Sequence, residues 1–306
     1  MSWGDLRPRV LLFGSSGQLG RELKRSFASY GEITAHDRAS IDLSNLEQIR
    51  TAVREAAPDV ILNAAAYTAV DRAESEPDPA MAANAKAPEV MAEEANRRGA
   101  LLVHYSTDYV FDGTKSGAWT ETDATNPLNV YGASKLAGEQ AIARVGGRFL
   151  IFRTSWVYGP HGKNFLFTML RLGRERDQLN VVDDQLGAPT TSIELADATR
   201  TAVAGILANR FGPAESWSGI YHMTCAGAVS WCGFARAIFE RAGPLIEGKS
   251  PHVLPILTSA YPTPAHRPLN SVLSNQKLRT CFGVELAPWE AALDRVVQQL
   301  TERNSN

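Results

Sequence analysis

A tyrosine and a lysine stand four residues apart in the segment Tyr131-Gly-Ala-Ser-Lys135. On a helix, residues at this spacing share one face, so the ammonium of Lys135 would lie beside the phenol. A free tyrosine has a pKa of about 10, and a neighbouring positive charge favours the phenolate, so Lys135 is expected to lower the pKa of Tyr131. The pair is predicted to transfer protons.

A glycine-rich loop lies far upstream, between a β-rich run at 9–13 and a helix-like segment at 18–28. Glycines allow a tight turn and bring backbone N–H groups close to a pyrophosphate at a helix N-terminus. The spacing is G-x-x-G-x-x-G rather than G-x-G-x-x-G. The loop is predicted to bind a dinucleotide through Gly14, Ser16, Gly17, Gln18, Leu19 and Gly20.

The next predicted strand ends in Asp37 and Arg38, about 20 residues after the loop, where the ribose of a dinucleotide is usually recognised. Asp37 would accept a hydrogen bond from a free 2′-hydroxyl, whereas Arg38 would pair with a 2′-phosphate. Both residues are present. The sequence therefore predicts a nicotinamide dinucleotide and leaves NADH and NADPH both open.

Composition sets limits on the class of protein. The 306 residues carry a net charge of −2 with acids and bases interspersed, which does not indicate a nucleic-acid or membrane surface. The start of the chain lacks a signal-peptide pattern, and the three cysteines match neither a disulfide framework nor a zinc site. A cytoplasmic protein is expected. The histidines show no metal-binding spacing and are expected to be packed or surface residues; they are His36, His104, His161, His222, His252 and His266.

Up to about residue 155 the pattern alternates strands with helices, which is typical of βαβ units and a parallel sheet. Predicted strands are 9–13, 32–36, 59–63, 100–105 and 148–154, and predicted helices are 18–28, 45–56, 79–98 and 130–144. Beyond this point, proline and glycine punctuation predicts a smaller irregular lobe. The fold class is thus α/β: a Rossmann-type doubly wound sheet at 1–155, to which part of the later chain returns, and a smaller irregular α/β lobe at 156–306.

Ligands of open α/β sheets bind beyond the carboxyl ends of the strands. Several candidate residues follow predicted strand ends, so they are expected to line one crevice although they are distant in sequence. They are Gly14, Asp37, Ala64, Ala65, Ala66, Thr107 and Trp156.

Several longer segments resemble the extended short-chain dehydrogenase/reductases and, among them, the dTDP-4-dehydrorhamnose reductases. The segments besides the glycine loop are 63–71 (NAAAYTAVD), 106–113 (STDYVFDG), 129–139 (NVYGASKLAGE), 153–159 (RTSWVYG), 184–190 (DQLGAPT) and 267–271 (RPLNS). The resemblance covers nearly the whole chain.

The resemblance implies that NADPH or NADH gives a hydride to C4 of dTDP-4-dehydro-6-deoxy-L-mannose, which becomes dTDP-L-rhamnose. Tyr131 would protonate the forming alkoxide, Lys135 would also hold the nicotinamide ribose, and Thr107 would share the carbonyl oxygen by a hydrogen bond. The alternative for Thr107 is a capping or turn threonine.

The resemblance also implies that 1–155 is the NAD(P)-binding domain, that 156–306 is mainly a sugar-nucleotide-binding lobe, and which residues contact each ligand. Ala64, Ala65, Ala66, Asp42 and Leu43 would lie beside the cofactor. The dTDP-sugar would meet Val70, Asp108, Tyr109, Trp156 and Arg267, with Trp156 as a pocket wall and Arg267 as a diphosphate clamp. For Trp156 the alternative is a core tryptophan. Magnesium and a homodimer are expected from the resemblance alone, and the sequence shows no carboxylate cluster to assign to the metal.

Two alternatives stay open. A sugar-nucleotide dehydratase would carry Asp-Glu directly after the catalytic threonine, but Asp108 and Tyr109 stand here, which argues against dehydration; a 4-epimerase or another 4-ketoreductase remains. The second alternative is a non-catalytic subunit related to the partner chain of methionine adenosyltransferase. Retention of Thr107, Tyr131 and Lys135 argues against it.

Overall fold

The computed structural model describes residues 7–246 and 250–304. Within them, six parallel strands form the main sheet in the order β10-β5-β4-β3-β1-β2. Its strands are β1 (Arg9–Phe13), β2 (Glu32–His36), β3 (Val60–Asn63), β4 (Leu101–Thr107), β5 (Phe149–Thr154) and β10 (Gly219–His222). The short strands are β6 (Val157–Tyr158), β7 (Gln178–Val182), β8 (Leu186–Gly187), β9 (Thr190–Thr191), β11 (Val229–Ser230) and β12 (His252–Ile256).

The α-helices alternate with these strands. They are α1 (Gln18–Phe27), α2 (Leu46–Ala56), α3 (Val70–Ala73), α4 (Pro77–Met81), α5 (Ala87–Arg98), α6 (Val130–Val145), α7 (Phe165–Glu175), α8 (Ser192–Leu207), α9 (Trp231–Arg241), α10 (Gln276–Phe282) and α11 (Trp289–Asn304). The predicted strands and the helices α1, α2 and α6 are confirmed to within two residues. The Asn45 side chain accepts from the Gln48 N–H and caps α2 as its sequence indicates.

The sheet is covered on both faces because side chains alternate along each strand. In β1, Val10 and Leu12 belong to a core shared with α1 and α8, whereas Leu11 and Phe13 face the core formed with α2 and α5. All four side chains are buried. The doubly wound α/β fold predicted from the sequence is confirmed.

The single helix predicted at 79–98 is wrong in its interior. Residues 82–86 form a π-helical turn between α4 and α5. Pro88 has no N–H to give to the Asn84 carbonyl, and the Asn84 side chain binds the backbone of Tyr67 and the Ser134 hydroxyl instead of solvent. A Cβ on Gly138 would lie 2.1 Å from the Asn84 carbonyl oxygen, so this glycine lets α6 pack closely on the turn.

The second half of the chain contributes to two cores. Helices α7, α9 and α11 pack around a core of their own, which includes Leu166, Phe234 and Leu293. Helix α8 packs against α1, and β10 extends the main sheet beside β5. The division into lobes near residue 155 stays a prediction, with 192–222 as the segment that returns to the sheet.

Candidate active site

The glycine loop begins where β1 ends and is fixed by the neighbouring strands. The N–H groups of Gly14 and Ser15 both donate to the His36 carbonyl, at 2.8 and 3.0 Å. Gly14 has a positive φ of 84°, and a Cβ there would lie 2.7 Å from the Ala65 nitrogen. The loop therefore touches the 64–66 segment after β3 at the point where the strand order reverses, which is where open α/β sheets bind their ligands.

The turn after β2 presents the two residues predicted to distinguish the cofactors. The Asp37 carboxylate accepts from the N–H groups of Ala39 and Ser40 through Oδ1, at 3.0 and 3.2 Å. Arg38 is exposed. Next in the chain, Asp42 accepts from the Ser44 N–H, and Leu43 packs against the core below. Asp37 thus shapes the turn, while the Arg38 side chain lies at the surface.

The residues predicted to transfer protons lie at the end of β4 and on α6. Tyr131 lies edge-on to Tyr109, with 5.6 Å between ring centroids. The Thr107 hydroxyl donates to Asp108 Oδ1 at 3.0 Å and accepts from the Tyr109 N–H at 3.2 Å. Asn129 caps α6 through the Gly132 N–H, which places Tyr131 in the first turn of the helix.

The expectation that Lys135 lowers the pKa of Tyr131 is wrong for this structure. Burial raises the pKa of Tyr131 to about 12, the charge of Asp108 adds to that rise, and a hydrogen bond with Thr107 opposes it. Lys135 is held elsewhere, because its Nζ donates to the Tyr105 carbonyl at 2.6 Å. Tyr131 is therefore a fully protonated acid at neutral pH.

Asp108 is a buried carboxyl beside this acid. Burial raises its pKa to about 6, against the neighbouring Ser271 and Thr107 hydroxyls, which lower it. Its Oδ2 has no hydrogen-bond partner among the described residues. When Asp108 is ionised, it accepts the hydrogen bond that the Thr107 hydroxyl donates. A substrate oxygen that binds Thr107 must therefore compete with Asp108 for that hydrogen bond.

Trp156 follows β5 and lies in an aromatic stack. Its φ of 49° is in the left-handed region, and its ring stacks on Trp231 with 3.5 Å between centroids and 10° between planes. Phe165 packs against the Trp231 ring, with 4.6 Å between the two ring centroids. A Cβ on Gly187 would lie 2.5 Å from the Trp156 indole, so this glycine also makes room for it. Trp156 is half-buried and lies in this stack rather than in a closed core.

The sequence analysis missed Trp231 and Gly187. Trp231 is the first residue of α9, 75 positions after Trp156, and a single tryptophan carries no spacing signal. Gly187 lies inside a segment that the resemblance included, but no role was assigned to it. Only the folded chain brings these residues to Trp156.

Arg267 is held near the proton-transfer residues by an ion pair. Its Nη2 lies 2.8 Å from Asp71 Oδ2, and its Nη1 donates to the Ala265 carbonyl. The hydrogen bond from Arg267 Nη2 to the Asp71 carboxylate lowers the pKa of Asp71, which follows Val70 at the start of α3. The positive charge of Arg267 also acts on Tyr109, where it opposes the rise in pKa caused by burial. Arg267 and Asp71 are thus linked to Tyr109, whose ring contacts Tyr131.

The described contacts connect most candidate residues. Gly14 meets Ala65, and Thr107 pairs in register with Thr154, two residues before Trp156. Gln18 accepts from the Asn164 amide, which ties α1 to the segment after β6.

Among residues 7–246 and 250–304, no group of three His, Cys, Asp or Glu side chains is placed to hold a metal ion. Within the same residues, no helix has the length and apolar character needed to span a bilayer.

Comparisons with known proteins identify the family to which the chain belongs. The family model described as "RmlD substrate binding domain" matches residues 8–302. A curated dTDP-4-dehydrorhamnose reductase from Burkholderia thailandensis is 50% identical over 298 residues, which cover 95% of this chain and 99% of that protein. The chain belongs to the dTDP-4-dehydrorhamnose reductase family. A second member, from Escherichia coli, is 46% identical over 95% of this chain and 97% of its own length.

Solved structures extend the comparison to the fold. The dTDP-4-dehydrorhamnose reductase from Bacillus anthracis, solved in complex with NADP, superimposes with a TM-score of 0.87 at 35% identity, covering 96% of this chain and all (100%) of that one. A UDP-glucose 4-epimerase from Thermus thermophilus superimposes with a TM-score of 0.75 at 21% identity, covering 95% and 98%. The second likeness shows the shared fold alone.

Proposed function

We propose that this chain is an NAD(P)H-dependent oxidoreductase that reduces the C4 keto group of dTDP-4-dehydro-6-deoxy-L-mannose to give dTDP-L-rhamnose. The observation that carries the proposal is that Thr107 ends β4 while Tyr131 and Lys135 lie on α6, which packs against that strand, in a chain whose relatives are named dTDP-4-dehydrorhamnose reductase. Three free cysteines fit a reducing compartment, and we propose the cytoplasm as its location.

The edge of the sheet fits a dinucleotide. The positive φ of Gly14 and its contact with Ala65 leave this corner without side-chain bulk, so backbone N–H groups can meet phosphates at the start of α1. Asp37 and Arg38 would then meet the adenosine ribose, and Asp42 and Leu43 the adenine. A reduced nicotinamide bound along this edge would supply the hydride.

The residues of the chain would manage the proton. Tyr131 holds its proton at neutral pH and would give it to the C4 oxygen as negative charge develops there. Thr107 would orient the same oxygen, and Lys135 would hold the nicotinamide ribose. Because burial raises the pKa of Tyr131, proton transfer from its hydroxyl becomes favourable only when a stronger base, the alkoxide, forms beside it.

The other half of the site would hold the sugar nucleotide. Trp156 would form one wall, Val70 and Tyr109 another, and Asp108 would lie behind Thr107 on the sugar side. Arg267 would bind the diphosphate once that anion replaces Asp71 as its partner. The comparisons support this function rather than a dehydratase, an epimerase or a non-catalytic subunit.

One assay tests the proposal. The purified chain is supplied with the 4-keto dTDP-sugar and NADPH, then NADH, while the absorbance of reduced nicotinamide is followed and the product is identified by mass and NMR. Stoichiometric oxidation of the cofactor with formation of dTDP-L-rhamnose is expected. Interconversion of sugars without net cofactor consumption would instead indicate an epimerase. Gel filtration of the same preparation tests the expected homodimer.

A further inference from the structure

His104 lies at the centre of the main sheet and contacts Lys135. It is the fourth residue of β4, in register with Asn63 of β3 and Ile151 of β5, and has no exposed surface. Both ring nitrogens have partners: Nδ1 lies 3.0 Å from Asn63 Nδ2, and Nε2 lies 3.0 Å from Lys135 Nζ. A histidine thus bridges the strand that leads to the 64–66 segment and the lysine of the proposed active site.

The contacts of Asn63 determine which ring nitrogen carries the proton. Asn63 Oδ1 accepts from the Ala65 N–H at 3.2 Å, so its amide nitrogen faces His104. An amide nitrogen can only donate, so Nδ1 of His104 must accept. Burial holds the pKa of His104 well below its usual value, so the ring is neutral and has one proton. That proton is therefore on Nε2, which faces Lys135.

This arrangement has a consequence for the charge of Lys135. A protonated Nε2 needs a lone pair on Nζ, which only the neutral amine offers. An ammonium instead needs Nε2 as acceptor, which moves the ring proton to Nδ1 and requires the Asn63 amide to turn over. The Ala65 N–H would then lose its acceptor. In the network of Ala65, Asn63, His104 and Lys135, every group has a hydrogen-bond partner only when Lys135 is neutral, because only then can the Asn63 oxygen stay bound to the Ala65 N–H.

We propose that Asn63 and His104 are positioning residues that hold the Lys135 amine in place and favour its neutral form. The proposal deepens the function proposed above and rests on it for the use of Lys135 beside Tyr131. It further implies that the charge of Lys135 depends on the backbone N–H of Ala65, at the strand end proposed to meet the cofactor.

The surrounding charges are consistent with a lysine that titrates near neutrality. Burial lowers the pKa of Lys135 to about 8, while Glu139, one turn along α6, raises it. Glu139 is itself bound by Arg153 of β5 at 2.6 Å, and both side chains are buried. Further ionisable groups around the site are Tyr131 on α6, Tyr105 on β4, and Asp108 and Tyr109 beyond it, and Lys135 is not among the causes of the pKa shift at Tyr131.

Two substitutions of His104 should both raise the pKa of Lys135, by different amounts. His104→Gln replaces the Nε2–H donor with an amide oxygen that accepts from the ammonium, so the pKa of Lys135 should rise by about one unit. His104→Leu also removes the donor to the neutral amine but offers the ammonium no acceptor, so the pKa should rise by less. The pKa is measured by NMR of the 15N-labelled lysine side chains, with Lys135 assigned by its loss in Lys135→Arg. The basic limb of kcat against pH should move in the same direction.

His222→Gln is the matched control. His222 is also a fully buried histidine, but it lies on β10, two strands away, and its ring contacts the Trp119 carbonyl. This variant should leave the Lys135 titration unchanged.

Asn63→Ala removes the amide that faces Nδ1 of His104, so the ring proton can move to Nδ1. Nε2 can then accept a hydrogen bond from the ammonium, and the pKa of Lys135 should rise as it does in His104→Gln.

The outcomes separate this proposal from the proposed function. The NMR titration needs no substrate, so a wild-type protein that does not reduce the keto sugar refutes the function while the titration still tests the pair. If His104→Leu does not fold, Asn63→Ala carries the test. An unchanged Lys135 pKa in folded His104→Gln or Asn63→Ala, or a shift of equal size in His222→Gln, would overturn the proposal.

Discussion

The two sides of the candidate site are held by different forces. On the proton-transfer side, which comprises Thr107, Tyr131 and Lys135, hydrogen bonds to backbone and buried side chains fix each group. On the aromatic side, which comprises Trp156, Trp231 and Phe165, ring packing is the main contact. Hydrogen bonds are directional and lose most of their strength when bent, whereas stacked rings tolerate sliding.

The difference indicates how each side should respond to change. A lost donor or acceptor on the proton-transfer side removes chemistry or leaves a buried partner unsatisfied, which is costly. A lost ring on the aromatic side leaves a gap that neighbouring rings can partly fill. The proton-transfer side should therefore control kcat, and the aromatic side should mainly control KM for the sugar nucleotide.

The largest effect is expected on the proton-transfer side. Tyr131→Phe removes the acid and little contact area, so kcat should fall about 10²–10⁴-fold, the usual contribution of general acid catalysis. Cofactor affinity, measured by fluorescence titration, should stay close to that of the wild type. Near-normal kcat in conditions where chemistry limits turnover would show that another group gives the proton.

The second-largest effect is expected on the preference for NADPH or NADH, when Arg38 or Asp37 is replaced. Arg38→Ala removes a charge-assisted contact worth about 1.5–3 kcal/mol, so kcat/KM for NADPH should fall roughly 10–100-fold with little change for NADH. Asp37→Asn is the matched variant, since its oxygen still accepts from the turn but no longer repels a phosphate, and it should favour NADPH. Equal losses with both cofactors would show that Arg38 does not contact the 2′-phosphate.

The aromatic side should give a smaller effect with a different kinetic signature. Trp156→Ala should raise KM for the sugar nucleotide. Trp231→Ala should reproduce part of that rise, roughly 2–10-fold, because a stacked aromatic pair is worth about 0.5–1.5 kcal/mol. Separate titrations of cofactor and dTDP-sugar, with thermal melts, check this. A core tryptophan would instead cost about 3–5 kcal/mol of stability and affect both ligands alike.

The same contrast explains how far the sequence could predict the molecule. Strand and helix periodicity, with caps such as Asn45, indicates regular elements, so Thr107, Tyr131 and the glycine loop could be placed from the order of strands. The charge environment of Tyr131 could not be predicted, because the position of Lys135 depends on His104 and the Tyr105 carbonyl on another element. Isolated histidines carry no spacing signal.

Partners on the aromatic side were harder still to foresee. Trp231 and Gly187 reach Trp156 through the pairing of β11 with β8, a two-residue contact between distant segments. Asp71 pairs with Arg267 across 196 positions. No local pattern encodes such pairs, since they form only when segments that are distant in the sequence meet in the folded chain.

The smallest effect is expected at that ion pair. Asp71→Asn removes the carboxylate that Arg267 must leave before it can bind a diphosphate, so affinity for the dTDP-sugar should rise. Half-exposed pairs are worth at most about 1 kcal/mol, which limits the gain to roughly fivefold in KM. Because both groups are partly exposed, added salt should reduce the difference between variant and wild type. Arg267→Lys should weaken binding, since an ammonium cannot make the bidentate contact. If Asp71→Asn weakens the binding of the dTDP-sugar while its melting temperature and cofactor affinity stay unchanged, Asp71 holds Arg267 in the binding position instead of competing with the ligand, and the clamp assigned to Arg267 requires the ion pair intact.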